Sequence, residues 1–354
     1  MAQQRREIVE KYENGLQESG CKTVILTSQT NMDEYGFTNK TAFVPQKPTG
    51  LQAKLVEMKS KYREHVWHKM LKKWEAYAYG PQMKNEIYNG IPDLLRGRVW
   101  SRLLGIQEHK ELQNGVYEDM LKQGLETSNF LSQIDLDINR TYREHVIFKA
   151  QYGLGHKQLF HVLAAYSVYN PEVGYCQGMS ELAAVLFMYI YNEEDVFWAL
   201  TILMSKRKYD MHNFFLPKFP KLLLVQAHHD KILQKFLPKL SKHMAKSGIS
   251  AGMYTVQWFL RCFLDSLPFP LAMRLWDIWM FEGEKLQIAM SYNILKLHSD
   301  QLIKLELAGV MELLQRELPK SFCFTDDHVI ESLRKCMAEL EEVRLSFPSS
   351  PPAD

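Results

Sequence analysis

The chain has 354 residues, 46% of them hydrophobic, which is enough to fill the core of one large or two medium globular units. Its 43 basic and 41 acidic residues leave a net charge of +2, so overall charge alone recruits neither nucleic acid nor an anionic membrane. The five cysteines are widely spaced without a C-x-x-C pair, which argues against a disulfide framework or zinc site and favours a reducing setting.

The first 50 residues are weakly patterned, and residues 1–50 are predicted to form a partly ordered lead-in. A short charged helix is expected near Ile8, followed by turn-forming residues up to Gly50. The N-terminus has no apolar run of the kind that a secretory signal or a membrane anchor needs.

Residues 51–80 are predicted to form a long amphipathic helix that packs on the domain and ends at Gly80-Pro81. Its apolar residues recur every three or four positions: Leu51, Leu55, Met58, Tyr62, Val66, Met70, Trp74 and Tyr77. Basic residues on the other surface could meet anionic lipid or an acidic partner, but the interspersed Glu64 and Glu75 favour a solvated face.

The next predicted helix runs from Pro92, which suits a first helical position, to Gly105, which suits a helix end. Gly97 lies inside it and indicates a close helix contact, because an interior glycine costs about 1 kcal/mol relative to alanine. Arg96 is interpreted as one half of a structural ion pair.

A further helix ends at Asn170-Pro171, since a residue before proline is pushed out of the helical region. Gly174 and Gly178 then bracket a loop that can bend sharply and let a partner approach its backbone. Ser180 is predicted to cap the helix that follows, and Glu181 to place an acidic side chain in its first turn. More helices are expected up to Leu345. The C-terminal helices within residues 301–346 are predicted to complete the fold, and residues 347–354 are predicted to be disordered.

Two short polar segments stand out, residues 134–141 (IDLDINRT) and residues 175–179 (YCQGM). Asp137 precedes Arg140 by three residues, so on a helical turn its carboxylate can orient the guanidinium. A planar guanidinium can contact two phosphate oxygens at once, and the neutral amide of Gln177 suits holding a water. Taken alone, Asp137 and Arg140 would be interpreted as a surface ion pair, and Gln177 as an exposed loop side chain.

The two segments resemble the paired signatures I-x-x-D-x-x-R-T and Y-x-Q-G-M of the TBC family, the GTPase-activating proteins for Rab-type small GTPases. Further family landmarks have counterparts in the same order, so the resemblance covers residues 90–300. These are Gly90-Ile91-Pro92, Arg96 to Trp100, Tyr254 to Phe259 and Arg274 to Asp277. Residues 160–167 and 211–215 look closest to the RN-tre and Tre oncoprotein group.

The resemblance implies an all-α fold of two helical subdomains with a groove between them. It implies that Arg140 is an arginine finger and Gln177 a glutamine finger, both supplied to a Rab in its GTP-bound form. The residues with supporting roles are Asp137, Thr141, Tyr175 and Gly178. Arg143 carries the same charge as Arg140 but lacks the aspartate and threonine neighbours that the family motif requires.

On this interpretation the protein activates another enzyme, has no catalytic activity of its own and needs no cofactor, because the Rab holds GTP and magnesium. It is expected to act in vesicle trafficking in the cytoplasm, to be recruited to endomembranes through the Rab, and to contact the membrane only indirectly. No nucleic-acid partner is expected. The alternative is a catalytically silent helical scaffold that binds a small GTPase or another partner.

Other candidate sites are weaker. Gly153-Leu154-Gly155 follows no clear strand, and the sequence contains no G-x-x-x-x-G-K-[ST] loop that would bind GTP. His228-His229 lack zinc-ligand spacing, and His161 is interpreted as a satisfied core or interface residue. Cys176 has no neighbouring histidine that would favour a catalytic thiol.

Overall fold

The computed structural model describes residues 2–18, 32–38, 50–78 and 80–348. Within these ranges the only β-type pairing is an isolated antiparallel bridge between Phe37 and His145, so the predicted all-α architecture is confirmed. The α-helices are α1 (Ala2–Glu18), α2 (Leu51–Lys72), α3 (Trp74–Tyr77), α4 (Pro81–Asn89), α5 (Asp93–Leu104), α6 (Ile106–Leu112), α7 (Val116–Thr127), α8 (Leu131–Ile138), α9 (Leu154–Tyr169), α10 (Met179–Ile190), α11 (Glu193–Ser205), α12 (His212–Phe215), α13 (Pro220–Phe236), α14 (Pro238–Lys246), α15 (Val256–Leu260), α16 (Phe269–Glu282), α17 (Glu284–Leu297), α18 (Ser299–Leu302), α19 (Leu307–Glu312) and α20 (Asp326–Glu342). A 3-10 turn covers Ala251–Met253 and a π-helical turn covers Leu313–Glu317.

The chain divides into two compact units, residues 1–42 with 97–205 and residues 43–96 with 206–354. The first unit is built around α9, which packs against α1, α7, α8, α10 and α11. Every residue of α9 from Leu159 to Ser167 is buried, as expected for a helix that is apolar on nearly all sides. In the second unit, α17 packs against α13, α15, α16 and α20. No helix in the described ranges has the length and apolar character needed to span a bilayer.

The N-terminal helix α1 is longer and more firmly packed than the sequence pattern predicts. Tyr12 is fully buried, and its ring stacks on Phe160 with the two ring centroids 4.0 Å apart. Ile8, one helical turn earlier, is also buried. A few apolar residues in a mostly polar segment give too weak a period to reveal this packing. The remaining residues of the predicted lead-in that precede Gly50, apart from residues 32–38, lie outside the described ranges.

The predicted amphipathic helix of residues 51–80 packs on the domain over only part of its length. It breaks at Lys73, where α2 gives way to α3. Trp67 and Met70 near the end of α2 are fully buried. Leu55, Met58 and Tyr62 are instead 57%, 67% and 70% exposed. A helical period shows which side chains share a face, but it does not show whether another element covers that face.

Arg96 forms the structural ion pair that the sequence predicts. Its Nε donates a hydrogen bond of 3.0 Å to Oδ1 of Asp277 on α16, whose side chain is completely buried. Its Nη2 donates to the carbonyl oxygen of Ile91 at 3.1 Å, and the Ile91 amide donates to Oδ2 of Asp277 at 3.2 Å. This closed network leaves Arg96 only 5% exposed, so its role is structural.

Gly97 permits a close approach between α5 and α10, as predicted. A Cβ added there would lie 1.9 Å from the backbone oxygen of Tyr189, far inside van der Waals contact. We expect Gly97→Ala to lower the free energy of unfolding by about 2 kcal/mol or more, because the backbone must move and this outweighs the gain in helix propensity. Urea denaturation measures the change.

The matched control is Gly252→Ala, because a Cβ at that position would meet no atom outside its chain neighbours closer than 3.8 Å. We expect this variant to unfold at nearly the same urea concentration as the unmodified protein. Equal stability of the two alanine variants would contradict the close contact at Gly97.

Candidate functional site

The Arg140 guanidinium is hydrogen-bonded to Asp137 and is also exposed to solvent. Arg140 follows the last turn of α8, and its amide donates to the carbonyl oxygen of Asp137 at 3.1 Å. Its Nη2 donates to Oδ1 of Asp137 at 2.7 Å. The Arg140 side chain is 54% exposed whereas that of Asp137 is 2% exposed. The predicted orientation of the guanidinium by this carboxylate is therefore present.

The buried carboxylate of Asp137 joins the two polar segments. Its Oδ1 also accepts a hydrogen bond of 3.1 Å from Nε2 of Gln133. Its Oδ2 accepts one of 2.7 Å from the hydroxyl of Tyr175, which is only 5% exposed. Burial, with the neighbouring Asp137 carboxylate, raises the pKa of Tyr175, so its hydroxyl keeps its proton and remains a donor.

A second link lies beside the first. The Thr141 hydroxyl is 2.7 Å from the carbonyl oxygen of Asp137 and 3.0 Å from the hydroxyl of Ser180. The Ser180 hydroxyl donates to Oε2 of Glu181 at 2.9 Å. The predicted capping role of Ser180 is therefore wrong, because its hydroxyl is used within the site. The residue at the N-cap of α10 is Gly178, with φ of 107°.

The loop that carries Gln177 bends sharply at both ends. Gly174 has φ of 62° and Gly178 has φ of 107°, a region that glycine adopts readily and other residues rarely. Gln177 is exposed, and no hydrogen bond links its side chain to another residue of the described ranges. The amide can therefore point toward a bound partner. Cys176 is half-buried, and burial raises the pKa of its thiol, so a reactive thiolate is disfavoured.

Sequence reasoning missed a hydrogen-bond chain that connects α1 to the end of α8. The hydroxyl of the buried Tyr12 donates to Oδ1 of Asp135 at 2.8 Å. Nδ2 of Asn139 donates to the same oxygen at 2.9 Å, and Nε2 of Gln151 donates to Oδ1 of Asn139 at 2.9 Å. Asn139 directly precedes Arg140. Tyr12 lies far outside the polar motifs, so no sequence signal pointed to it.

The histidines do not form a metal site within the described ranges, where no suitable group of three or more histidine, cysteine, aspartate or glutamate side chains occurs. His161 is buried, and its ring nitrogens lie 3.0 Å from Glu193 and 2.8 Å from Glu13. Burial alone would lower the pKa of His161, but its hydrogen bonds to the two carboxylates raise it above its ordinary value. The prediction of a satisfied histidine is confirmed.

The Tyr175 hydrogen bond gives a direct test of how firmly the two segments are joined. We expect Tyr175→Phe to lower the free energy of unfolding by about 1 to 3 kcal/mol, because Oδ2 of the buried Asp137 loses its donor. The control is Tyr191→Phe, since Tyr191 is 68% exposed and surface substitutions usually change stability by less than about 0.5 kcal/mol. Matching denaturation curves for the two variants would show that the link contributes nothing.

Two solved structures resemble this helical arrangement. The crystal structure of the Chlamydomonas flagellar RabGAP TBC domain matches with a TM-score of 0.67 and 23% identity, covering 86% of this chain and 98% of that one. The Ypt/Rab-GAP domain of Gyp1p matches with a TM-score of 0.64 and 17% identity, covering 78% of this chain and 98% of that one. The fold is therefore of the all-helical TBC type.

A sequence relative and a family model narrow the assignment. The human Ecotropic viral integration site 5 protein homolog is 32% identical over 269 residues, which cover 75% of this chain and 32% of the relative. The chain thus spans about a third of that relative's length. The model of the Rab-GTPase-TBC domain matches residues 93–303, and this chain belongs to that family.

Proposed function

We propose that this protein accelerates GTP hydrolysis by a Rab GTPase, with Arg140 as the arginine finger and Gln177 as the glutamine finger. The observation that carries the proposal is the shared anchor of the two segments. The buried carboxylate of Asp137 holds the exposed Arg140 guanidinium and accepts the Tyr175 hydroxyl, two residues before Gln177. A cation and an amide are thereby presented from one rigid support.

Arg140 would act on the charge that develops as the γ-phosphoryl group transfers. That charge spreads over the equatorial phosphate oxygens, and a guanidinium placed against them stabilises the transition state more than the ground state. The Asp137 hydrogen bond uses one nitrogen of the guanidinium and leaves the rest of the fork directed toward solvent. The hydrogen bond also limits the rotamers of a long side chain, so less entropy is lost on binding.

Gln177 would orient the attacking water in place of the glutamine of the GTPase. Its amide carries both an acceptor and donors, so it can position a water without taking part in proton transfer. In this role the protein completes the active site of its partner. GTP and magnesium remain bound to the Rab, and this chain contributes no cofactor. Thr141 and Gly178 would support the two segments through their links to Ser180 and α10.

The finer assignments also belong to this proposal. The resemblance of residues 160–167 and 211–215 supports a place near the RN-tre and Tre oncoprotein group, whereas the human relative supports membership of the family in general. Action in the cytoplasm, in vesicle trafficking at endomembranes that carry the Rab, follows from the proposed partner.

The experiment is a panel of GTP-loaded Rabs, assayed for phosphate release with this chain. The matched control is the Arg140→Ala, Gln177→Ala double variant, whose two changes lie at exposed positions outside the core. We expect at least one Rab to be accelerated by about 10³-fold or more, and the double variant to be inactive. A Rab that binds in the GTP form without acceleration would instead support the silent scaffold.

A further inference from the structure

An exposed apolar stripe runs along the first half of α2. Leu55, Met58 and Tyr62 occupy positions i, i+3 and i+7, which lie on one face of a helix. They are 57%, 67% and 70% exposed. Isolated large apolar side chains are common on protein surfaces, whereas a contiguous row of them indicates an interaction site. The proposed GTPase site uses none of them.

The charges around this stripe are arranged in order. At about 100° per residue, Lys54 and Lys61 fall along one border of the stripe and Lys59 along the other. Glu57 and Glu64 fall on the far side of the helix, and Glu57 reaches Lys61 with an ion pair of 2.6 Å between Oε1 and Nζ. The face that carries the apolar side chains is therefore bordered by basic residues on both sides, and none of its own positions is acidic. The sequence pattern suggested only mixed charges, because it did not separate the exposed apolar face from the buried one.

The neighbouring pocket decides between a lipid surface and a soluble anion. A polar pocket of about 480 Å³ opens beside α2, and its basic lining includes Lys59, Arg63 and Arg334. The pocket is also lined by Glu86, Asp327 and Glu331, of which Asp327 is paired with Arg274. Three carboxylates within the same lining disfavour a free phosphate. Lys59 and Tyr62 line this pocket at the edge of the stripe, whereas Lys54 and Lys61 on the other border do not.

We propose that the first half of α2 binds an anionic bilayer surface, with Leu55, Met58 and Tyr62 entering the headgroup region. Lysines along both borders can extend to lipid phosphates while their methylene stems follow the apolar residues, which is how interfacial helices bind membranes. An apolar groove on a protein partner would not require lysines on both sides. The inference is independent of the fingers, and it replaces the expectation that membrane contact is only indirect.

The test is co-sedimentation of the purified chain with vesicles of phosphatidylcholine alone or with added phosphatidylserine, at low and at physiological salt. We expect binding to the phosphatidylserine vesicles that weakens as salt rises, and little binding to the neutral ones. Replacing Leu55, Met58 and Tyr62 together with serine should abolish it. The matched control replaces Leu94, Leu112 and Leu223, which are 88%, 84% and 60% exposed.

A charge-reversal pair completes the design. Lys54, Lys59 and Lys61 changed to glutamate should weaken binding by on the order of a hundredfold, because each basic residue near an anionic surface contributes about fivefold. The control reverses Lys122, Lys149 and Lys239, which are exposed elsewhere and change the net charge equally. Unchanged circular dichroism and melting show that each variant is folded.

Two outcomes would overturn the proposal. One is the absence of binding to phosphatidylserine vesicles at low salt. The other is equal binding by the stripe variant and its leucine control. Light scattering tests a different occupant of the stripe. If the unmodified chain forms a dimer and binds no vesicles, and the stripe substitutions convert the dimer to a monomer, the stripe binds a second copy of the chain.

Discussion

Replacing Arg140 with lysine is expected to remove most of the stimulation of Rab GTP hydrolysis, although the positive charge is kept. Lysine presents a point charge in place of a planar fork, so it cannot bind Asp137 and bridge phosphate oxygens at the same time. An arginine finger contributes about 10³ to 10⁵ in rate, or roughly 4 to 7 kcal/mol of transition-state stabilisation. Single-turnover phosphate release from a responsive Rab measures the loss, and Arg140→Ala should lose at least as much.

The matched control is Arg143→Lys. Arg143 lies three residues further along the chain and is exposed, but it lacks an aspartate at the position that Asp137 holds relative to Arg140. We expect this variant to retain nearly full stimulation and Arg140→Lys to remain folded by circular dichroism. Near-full activity of Arg140→Lys would rule out the proposed role of the guanidinium.

Gln177 is expected to make this protein independent of the catalytic glutamine of the GTPase. A Rab in which leucine replaces that glutamine hydrolyses GTP poorly by itself, and the unmodified protein should still accelerate it, because the amide that orients the water comes from Gln177. Gln177→Ala should then abolish the acceleration. Phosphate release measures turnover, and a binding titration run in parallel shows whether the leucine disturbs docking.

The control for this pair is Gln133→Ala, an exposed glutamine on α8 whose amide donates to Oδ1 of Asp137. We expect it to reduce stimulation far less than Gln177→Ala does. If the leucine-substituted Rab binds the unmodified protein normally and its turnover does not rise, the glutamine finger is wrong and Arg140 acts alone.

Local chemistry in the site could be predicted from the sequence because the interacting residues are close along the chain. Asp137 and Arg140 are one turn apart, so helical geometry alone brings the carboxylate to the guanidinium. The sharp loop around Gln177 followed from its flanking glycines in the same way. The Asp137 to Tyr175 hydrogen bond spans 38 residues, and only the fold brings the two together.

The errors have the same physical origin. The sequence pattern predicts Ser180 as a helix cap, but its hydroxyl contacts Thr141 and Glu181, and Thr141 is distant in sequence. Tyr12 was not singled out, because its burial depends on Phe160. The period of α2 predicts packing along the whole helix, whereas Leu55, Met58 and Tyr62 in its first half are exposed and no element of the described ranges covers them. Periodicity defines a face, and tertiary structure decides what meets it.

The central claim is that this chain completes a transition state, and one titration tests it most directly. The affinity for a responsive Rab is measured with GDP, with GTP, and with GDP plus a planar phosphate mimic that imitates the transferring phosphoryl group. If Arg140 and Gln177 are complementary to that group, the complex with the mimic is the tightest of the three, and Arg140→Ala removes the difference. Equal affinities for all three states would contradict catalysis in trans and leave a scaffold.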